Sequence, residues 1–161
     1  MLFLQNINGF MVGKDVENRG IAKEGAKMVH AVATAVVPCF TIIIGGSYGA
    51  GNYAMAGRAY DPRLLFMYPG ARISVMGAEQ AAVVLGSIGK QEEQPDRVIT
   101  SESANPIYDT YNREGSPYYS TSRIWDDGII DPLDTRKIIA MGIAMSLNKR
   151  FSEPANGIYR M

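Results

Sequence analysis

The sequence predicts an α/β fold on a parallel sheet, and three observations carry the prediction. Two apolar runs, residues 2–7 and 41–44, flank a stretch of helical period. A glycine-rich segment, Gly45-Gly46-Ser47-Tyr48-Gly49-Ala50-Gly51, follows the second run at once. Further on, prolines and an aspartate sit where helices begin.

Residues 2–7 read as a buried strand, and Asn8-Gly9 opens a loop to about Asn18. Ile21, Ala22, Gly25, Met28, Val29, Val32, Ala33 and Val36 recur at helical spacing, with Lys23, Lys27, His30 and Thr34 on the other face. Pro38 ends that helix. Residues 41–44 form the second strand, and strand, helix, strand in this order is a right-handed βαβ crossover. A short helix is expected at 52–57, and strands at 64–68 and 73–76 around a Pro69-Gly70 turn. Residues 78–88 read as a helix. A surface excursion is expected over 89–116, charged and polar as far as Asn105. Pro106 and Pro117 start helices at 106–113 and 117–124. Asp131 reads as an N-cap, with Asp134 at the capping-box position, before a helix to about Lys149. The tail from Phe151 reads as irregular.

The 161 residues are 47% hydrophobic and 20% charged, which suits one domain or a piece of a larger one. Sixteen basic and sixteen acidic residues cancel, so no whole-surface field favours nucleic acid or an anionic membrane. The longest apolar stretch, 31–44, is broken by Pro38, so no membrane insertion is expected. The single cysteine, Cys39, has no internal disulfide partner and fits a reducing compartment. The chain enters a strand directly after Met1, with no signal or transit peptide, and reads as a segment of something larger.

The glycine segment admits three chemistries. Gly45-Gly46-Ser47-Tyr48-Gly49 fits the G-x-S-x-G nucleophile elbow, which needs a histidine after the serine. The one histidine, His30, precedes Ser47, so a loop serine bonding its own backbone is the simpler role. Gly49-Ala50-Gly51-Asn52-Tyr53-Ala54 fits a loose dinucleotide fingerprint of a Rossmann-type oxidoreductase. That motif needs an acid about twenty residues on; Asp61 is too early and Glu79 too late. The third chemistry needs only backbone. The first N–H groups of a helix have no internal partner and favour negative charge, so two aimed together form an oxyanion hole. Against it stands simple packing, with glycines letting a helix lie close on the sheet.

Other segments decide among these. FLQNINGFMVG at 3–13, GIAKEGAKMV at 20–29, GGSYGAGNYAMAGRAYDPR at 45–63, ARISVMGAEQAA at 71–82, WDDGIIDPLDTR at 125–136 and the ending GIYRM at 157–161 occur in one order. Together they resemble the carboxyltransferase (β) subunits of biotin-dependent acyl-CoA carboxylases. The resemblance covers nearly the whole chain outside 89–116, and is greatest to the branch acting on 3-methylcrotonyl-CoA.

The resemblance implies a crotonase-like fold of two related halves, with residues 1–161 forming the later part of the second. The absent first half holds the acyl-CoA. The second receives carboxybiotin from a separate biotin-carrying α subunit, within a ring-shaped homo-oligomer of β subunits. Biotin itself acts as base, so no protein acid or base and no metal is expected. The backbone N–H groups of Ala50 and Gly51 align with the family's donors to the biotin ureido oxygen. Gly49 supplies the turn, and Phe10 and Tyr53 are further candidates for the biotin pocket. Relatives acting on propionyl groups carry an aspartate where this chain has Tyr53, and an Asp and a Pro where it has Asn6 and Asn8. The implied substrate is a branched, unsaturated acyl-CoA, with geranyl-CoA as the alternative. The implied location is the mitochondrial matrix in a eukaryote and the cytoplasm otherwise. An inactive fragment or packing module is the non-enzyme alternative.

The remaining conspicuous residues have simpler roles. Asp126-Asp127 suits turn or cap duty better than a metal pair. Arg58, Arg63 and Arg72 suit ion pairs better than CoA phosphates. Tyr118, Tyr119 and Trp125 suit packing or subunit contacts, and Cys39 a small apolar core position.

Overall fold

The computed structural model describes residues 1–87, 106–150 and 152–153. β1 (Leu2–Ile7) is joined through α1 (Lys14–Asn18) and α2 (Ile21–Ala33) to β2 (Phe40–Tyr48). β1 and β2 pair in parallel from Leu2↔Phe40 to Gln5↔Ile43, so the expected βαβ unit forms. The loop expected before the helix contains α1. α2 stops at Ala33, where Thr34 turns its hydroxyl back to the His30 carbonyl at 2.9 Å.

β2 is the spine of a four-stranded sheet. Its first half pairs with β3 (Leu64–Met67), from Phe40↔Leu64 to Ile43↔Met67. Its second half pairs with β4 (Arg72–Ser74), from Gly46↔Arg72 to Tyr48↔Ser74. All three pairings are parallel. The core lies here: Ile42, Ile43, Leu65, Met67 and Ala71 are fully buried. β1 is less covered than its sequence suggests. Leu2 and Leu4 are about half exposed, and the fully buried residue of the strand is Gln5.

β2 does not end at Ile44 but runs on through Gly45-Gly46-Ser47-Tyr48. The register with β1 shifts at this point, from Gln5↔Ile43 to Ile7↔Ser47. Asn6 fills the irregularity, its side-chain oxygen accepting from Gly46 N–H at 3.1 Å. A Cβ on Gly45 would overlap that oxygen, and one on Gly46 would meet the Tyr48 ring at 2.7 Å. These two glycines thus let a strand bulge, and the turn comes after them.

α3 (Gly49–Ala54) therefore starts three residues earlier than expected and leads to a 3-10 turn at Arg58–Tyr60. After β3 and β4 come α4 (Ala78–Ser87), α5 (Pro106–Glu114) and α6 (Pro117–Ser122). The charged part of the expected excursion lies outside the described residues. Ser116 caps α6 by accepting from Tyr119 N–H at 3.2 Å. Asp131 accepts from Leu133 N–H at 2.8 Å, as an N-cap should, but the turn it caps is a 3-10 turn, Pro132–Asp134. Asp134 makes no capping bond to α7 (Thr135–Ser146), so the capping box does not form.

The Trp125–Ile130 stretch closes on β3. Asp127 N–H donates to the Leu65 carbonyl, and its carboxylate accepts from Leu65 N–H, each at 2.7 Å. Asp126 is buried and accepts from Ser120 and Thr121 hydroxyls and from Gly128 N–H. Both aspartates therefore serve the turn.

Candidate functional site

The candidate site is the bend between β2 and α3. Tyr48 is extended, with φ −118°, while Gly49 is left-handed, with φ +54°. A Cβ on Gly49 would also lie 3.0 Å from the Val75 carbonyl oxygen, so this position needs glycine twice over. α3 begins at once, and the N–H groups of Gly49, Ala50 and Gly51 have no carbonyl four residues back within the helix. No side chain at the N-cap takes one up.

Ala50 is exposed and Gly49 half-buried, whereas Gly51 is buried. A Cβ on Gly51 would come 2.8 Å from Ile7 Cδ1 and 3.3 Å from Gly9 Cα. Gly51 is thus a packing glycine, holding α3 against β1. Gly9, left-handed at φ +97°, approaches the Tyr48 carbonyl from the same side. Close backbone approach builds the bend, and no side chain caps the first main-chain amides of α3. Such a bend can stabilise developing negative charge without an ionisable side chain.

Ser47 is fully buried in β2 and is not a loop residue. Its hydroxyl donates to Gln5 Oε1 at 2.5 Å and accepts from Asn52 Nδ2 at 2.9 Å. Gln5 Nε2 in turn donates to the Met55 carbonyl at 2.7 Å. His30 lies on the exposed side of α2, so the serine has no base of the expected kind. Gln5 and Asn52 were not singled out by sequence reasoning. A glutamine inside an apolar strand, LFLQNI, is the signal that points to a buried polar partner.

The other candidates are placed as follows. Phe10 is half-buried, and its ring fills the notch that Gly25 leaves in α2. Tyr53 follows Gly49 by one turn of α3 and is 50% exposed. Tyr60 meets it edge-on, centroids 5.9 Å apart. A cleft of about 410 Å³ starts at Val75, beside Gly49, and is lined by Ile73, Ser74, Tyr111, Glu114 and Trp125. Arg58 contacts Asp127 at 3.0 Å and donates from Nε to the Trp125 carbonyl, as the ion-pair expectation has it. Arg72 donates to the Ala71 carbonyl instead. Arg63 is exposed and forms no ion pair among the described residues. Tyr119 packs edge-on against Trp125 with Arg123 over its ring, as expected of those two, whereas Tyr118 is 69% exposed. Cys39 is only half-buried, and desolvation raises its thiol above the ordinary value of 9.0. Among the described residues no group of three metal-ligating side chains occurs, and no helix is long and apolar enough to cross a membrane.

The described strands form a parallel sheet flanked by helices, and the chain belongs to the carboxyl transferase domain family, which matches residues 1–158. It is 55% identical over its whole length to the probable mitochondrial methylcrotonoyl-CoA carboxylase beta chain of Drosophila melanogaster. It is 54% identical over its whole length to the biotin-dependent 3-methylcrotonyl-coenzyme A carboxylase beta1 subunit of Mycobacterium tuberculosis. It spans 29% and 31% of those two relatives. Among solved structures, the beta subunit of geranyl-CoA carboxylase from P. aeruginosa superposes with a TM-score of 0.82 at 38% identity, covering 99% of this chain and 31% of that one. The fold is the crotonase-like one of those subunits, present here in part.

Proposed function

We propose that this chain forms the biotin side of an acyl-CoA carboxyltransferase that converts 3-methylcrotonyl-CoA to 3-methylglutaconyl-CoA. The observation that carries this reading is the uncapped, partly exposed start of α3, in a chain of this family. Biotin, carried on a partner α subunit, supplies the carboxyl group and the base. The residues at the bend fit such a group. Ala50 and Gly51 offer main-chain N–H donors to a ureido oxygen, and Gly49 makes the turn that aims them. Tyr53 flanks the bend. Phe10 acts at one remove, because its ring is committed to Gly25. Each donor of this kind is worth about 10²–10³ in rate.

The acyl-CoA side of the site is assigned to the rest of a complete β subunit, since this chain spans 29% and 31% of the two relatives. Complete β subunits assemble with themselves and with the α subunit. Exposed apolar residues on α7, such as Met141, Ile143 and Met145, suit burial in that assembly. The mitochondrial matrix is the location in a eukaryote, in keeping with the Drosophila relative, and the cytoplasm otherwise.

The test uses the complete β subunit with its α subunit, MgATP, labelled bicarbonate and a panel of 3-methylcrotonyl-, geranyl- and propionyl-CoA. Label should enter 3-methylcrotonyl-CoA fastest. Preference for geranyl-CoA would move the substrate assignment to the specificity named for the P. aeruginosa structure. No incorporation with any of the three would overturn the reading.

A further inference from the structure

Behind the bend, three polar side chains form one hydrogen-bonded run. Asn52 donates to Ser47 and, at 3.5 Å, to Gln5; Ser47 donates to Gln5, and Gln5 to the Met55 carbonyl. The run starts on α3, crosses β2 and β1, and returns to the residue that closes α3. Its direction is fixed from one end. The Met55 carbonyl only accepts, so the Gln5 amide must present nitrogen there and oxygen to Ser47. The Ser47 hydroxyl must then donate to that oxygen, leaving its own lone pair for the Asn52 amide nitrogen. Only one setting of both amides satisfies every member.

α3 needs such support. Six residues are too few for a helix to stand by its own cooperativity, and this one has a left-handed first residue and no side-chain cap. Gly51 holds its near face against Ile7 and Gly9, and Ala54 is buried beside it. The Asn52 and Met55 bonds add directional contacts to this packing. Gly57 adds a backbone bond to the Asn52 carbonyl at 2.9 Å.

We infer that Gln5, Ser47 and Asn52 are positioning residues for carboxyl transfer, setting the angle at which the bend between β2 and α3 presents its amides. This rests on the function proposed above. A misplacement of about 1 Å in a reacting group can cost about 10² in rate, so the run acts on turnover and leaves acyl-CoA binding alone.

The test uses the complete β subunit assembled with its biotin-carrying partner. Asn52→Asp keeps the shape and removes the donor; Ser47→Ala removes the hydroxyl that joins Asn52 to Gln5 and leaves their long 3.5 Å contact; the double variant removes both. Ser120→Ala, which takes a buried hydroxyl from Asp126 in a separate part of the fold, serves as the stability control. Each single variant should lower kcat about 10- to 100-fold with the acyl-CoA KM within about twofold of wild type. The double variant should be no worse than the poorer single, since the residues act as one unit. Ser120→Ala should lower Tm and leave kcat alone. Should Ser47→Ala not fold, the isosteric Asn52→Asp decides. A kcat within about twofold of wild type in Asn52→Asp, or a rise in KM at constant kcat, overturns the inference. So does an Asn52→Asp subunit that cannot assemble, because its role is then folding. A wild-type enzyme inactive on every acyl-CoA removes the proposed function itself, an outcome the variants cannot imitate.

Discussion

Asn52 Nδ2 lies 2.9 Å from Ser47 Oγ, so a side chain of α3 is bonded back to the last-but-one residue of β2. The serine of a G-x-S-x-G sequence is thereby occupied on both sides, by Asn52 and by Gln5. It carries structure in the place where a hydrolase would carry its nucleophile.

Ser47 should therefore form no covalent intermediate. Intact-mass measurement of the complete enzyme after incubation with acyl-CoA should show no adduct on the β subunit. Ser47→Ala should cost about 1–3 kcal/mol of stability, the range for stranding buried hydrogen-bond partners, and a denaturant titration reads this. An acyl adduct that vanishes in the alanine variant would restore the nucleophile.

Gly51 should tolerate a methyl group only if Ile7 yields. Gly51→Ala places a Cβ 2.8 Å from Ile7 Cδ1 and should destabilise by about 1–3 kcal/mol. Ile7→Val removes that atom, and the pair should recover part of the loss, so the double-mutant cycle is non-additive. Gly51→Val adds more bulk beside Gly9 Cα and should abolish carboxylation in the complete enzyme. Strict additivity in the cycle would show that the contact is not what excludes a side chain.

Asp126 should matter to stability more than its surface-loop sequence suggests. It is 4% exposed and accepts from two hydroxyls and one main-chain N–H. Asp126→Ala should cost about 2–4 kcal/mol, because several donors to a charged group lose their acceptor. Arg58→Lys, at the more exposed pair with Asp127, should cost about 1 kcal/mol or less. Thermal unfolding of the two variants side by side checks the order.

Cys39 sets a pH dependence of known sign. Burial raises its thiol above 9.0, so the folded state holds the proton more tightly than the unfolded one. The stability this contributes is fully present below the unfolded pKa and is lost as pH rises through the folded value. Cys39→Ala should flatten that alkaline decline. Iodoacetamide should label the wild-type thiol more slowly at neutral pH than it labels a free cysteine.

Much of the architecture is legible from local pattern. The βαβ unit, the proline-started helices α5 and α6 and the turn duty of Asp126 and Asp127 follow from residue type and spacing. What escapes the sequence depends on contacts between distant segments. The continuation of β2 through Gly45 and Gly46 rests on Asn6, forty residues earlier, filling the bulge. The burial of Ser47 rests on Gln5, which local periodicity presents as an interruption. α1 was hidden because its five residues, KDVEN, carry no apolar stripe. At the bend, glycine content is readable, but the reason differs by position: left-handed backbone at Gly49, contact with Ile7 at Gly51.

Gly9 and Phe10 are neighbours in the chain with separate anchorages. Gly9 presses on Tyr48 and Gly51, and the Phe10 ring is lodged at Gly25. The Phe10 ring thus ties the loop that flanks the bend to α2, and a side chain introduced at Gly25 would push on that same loop.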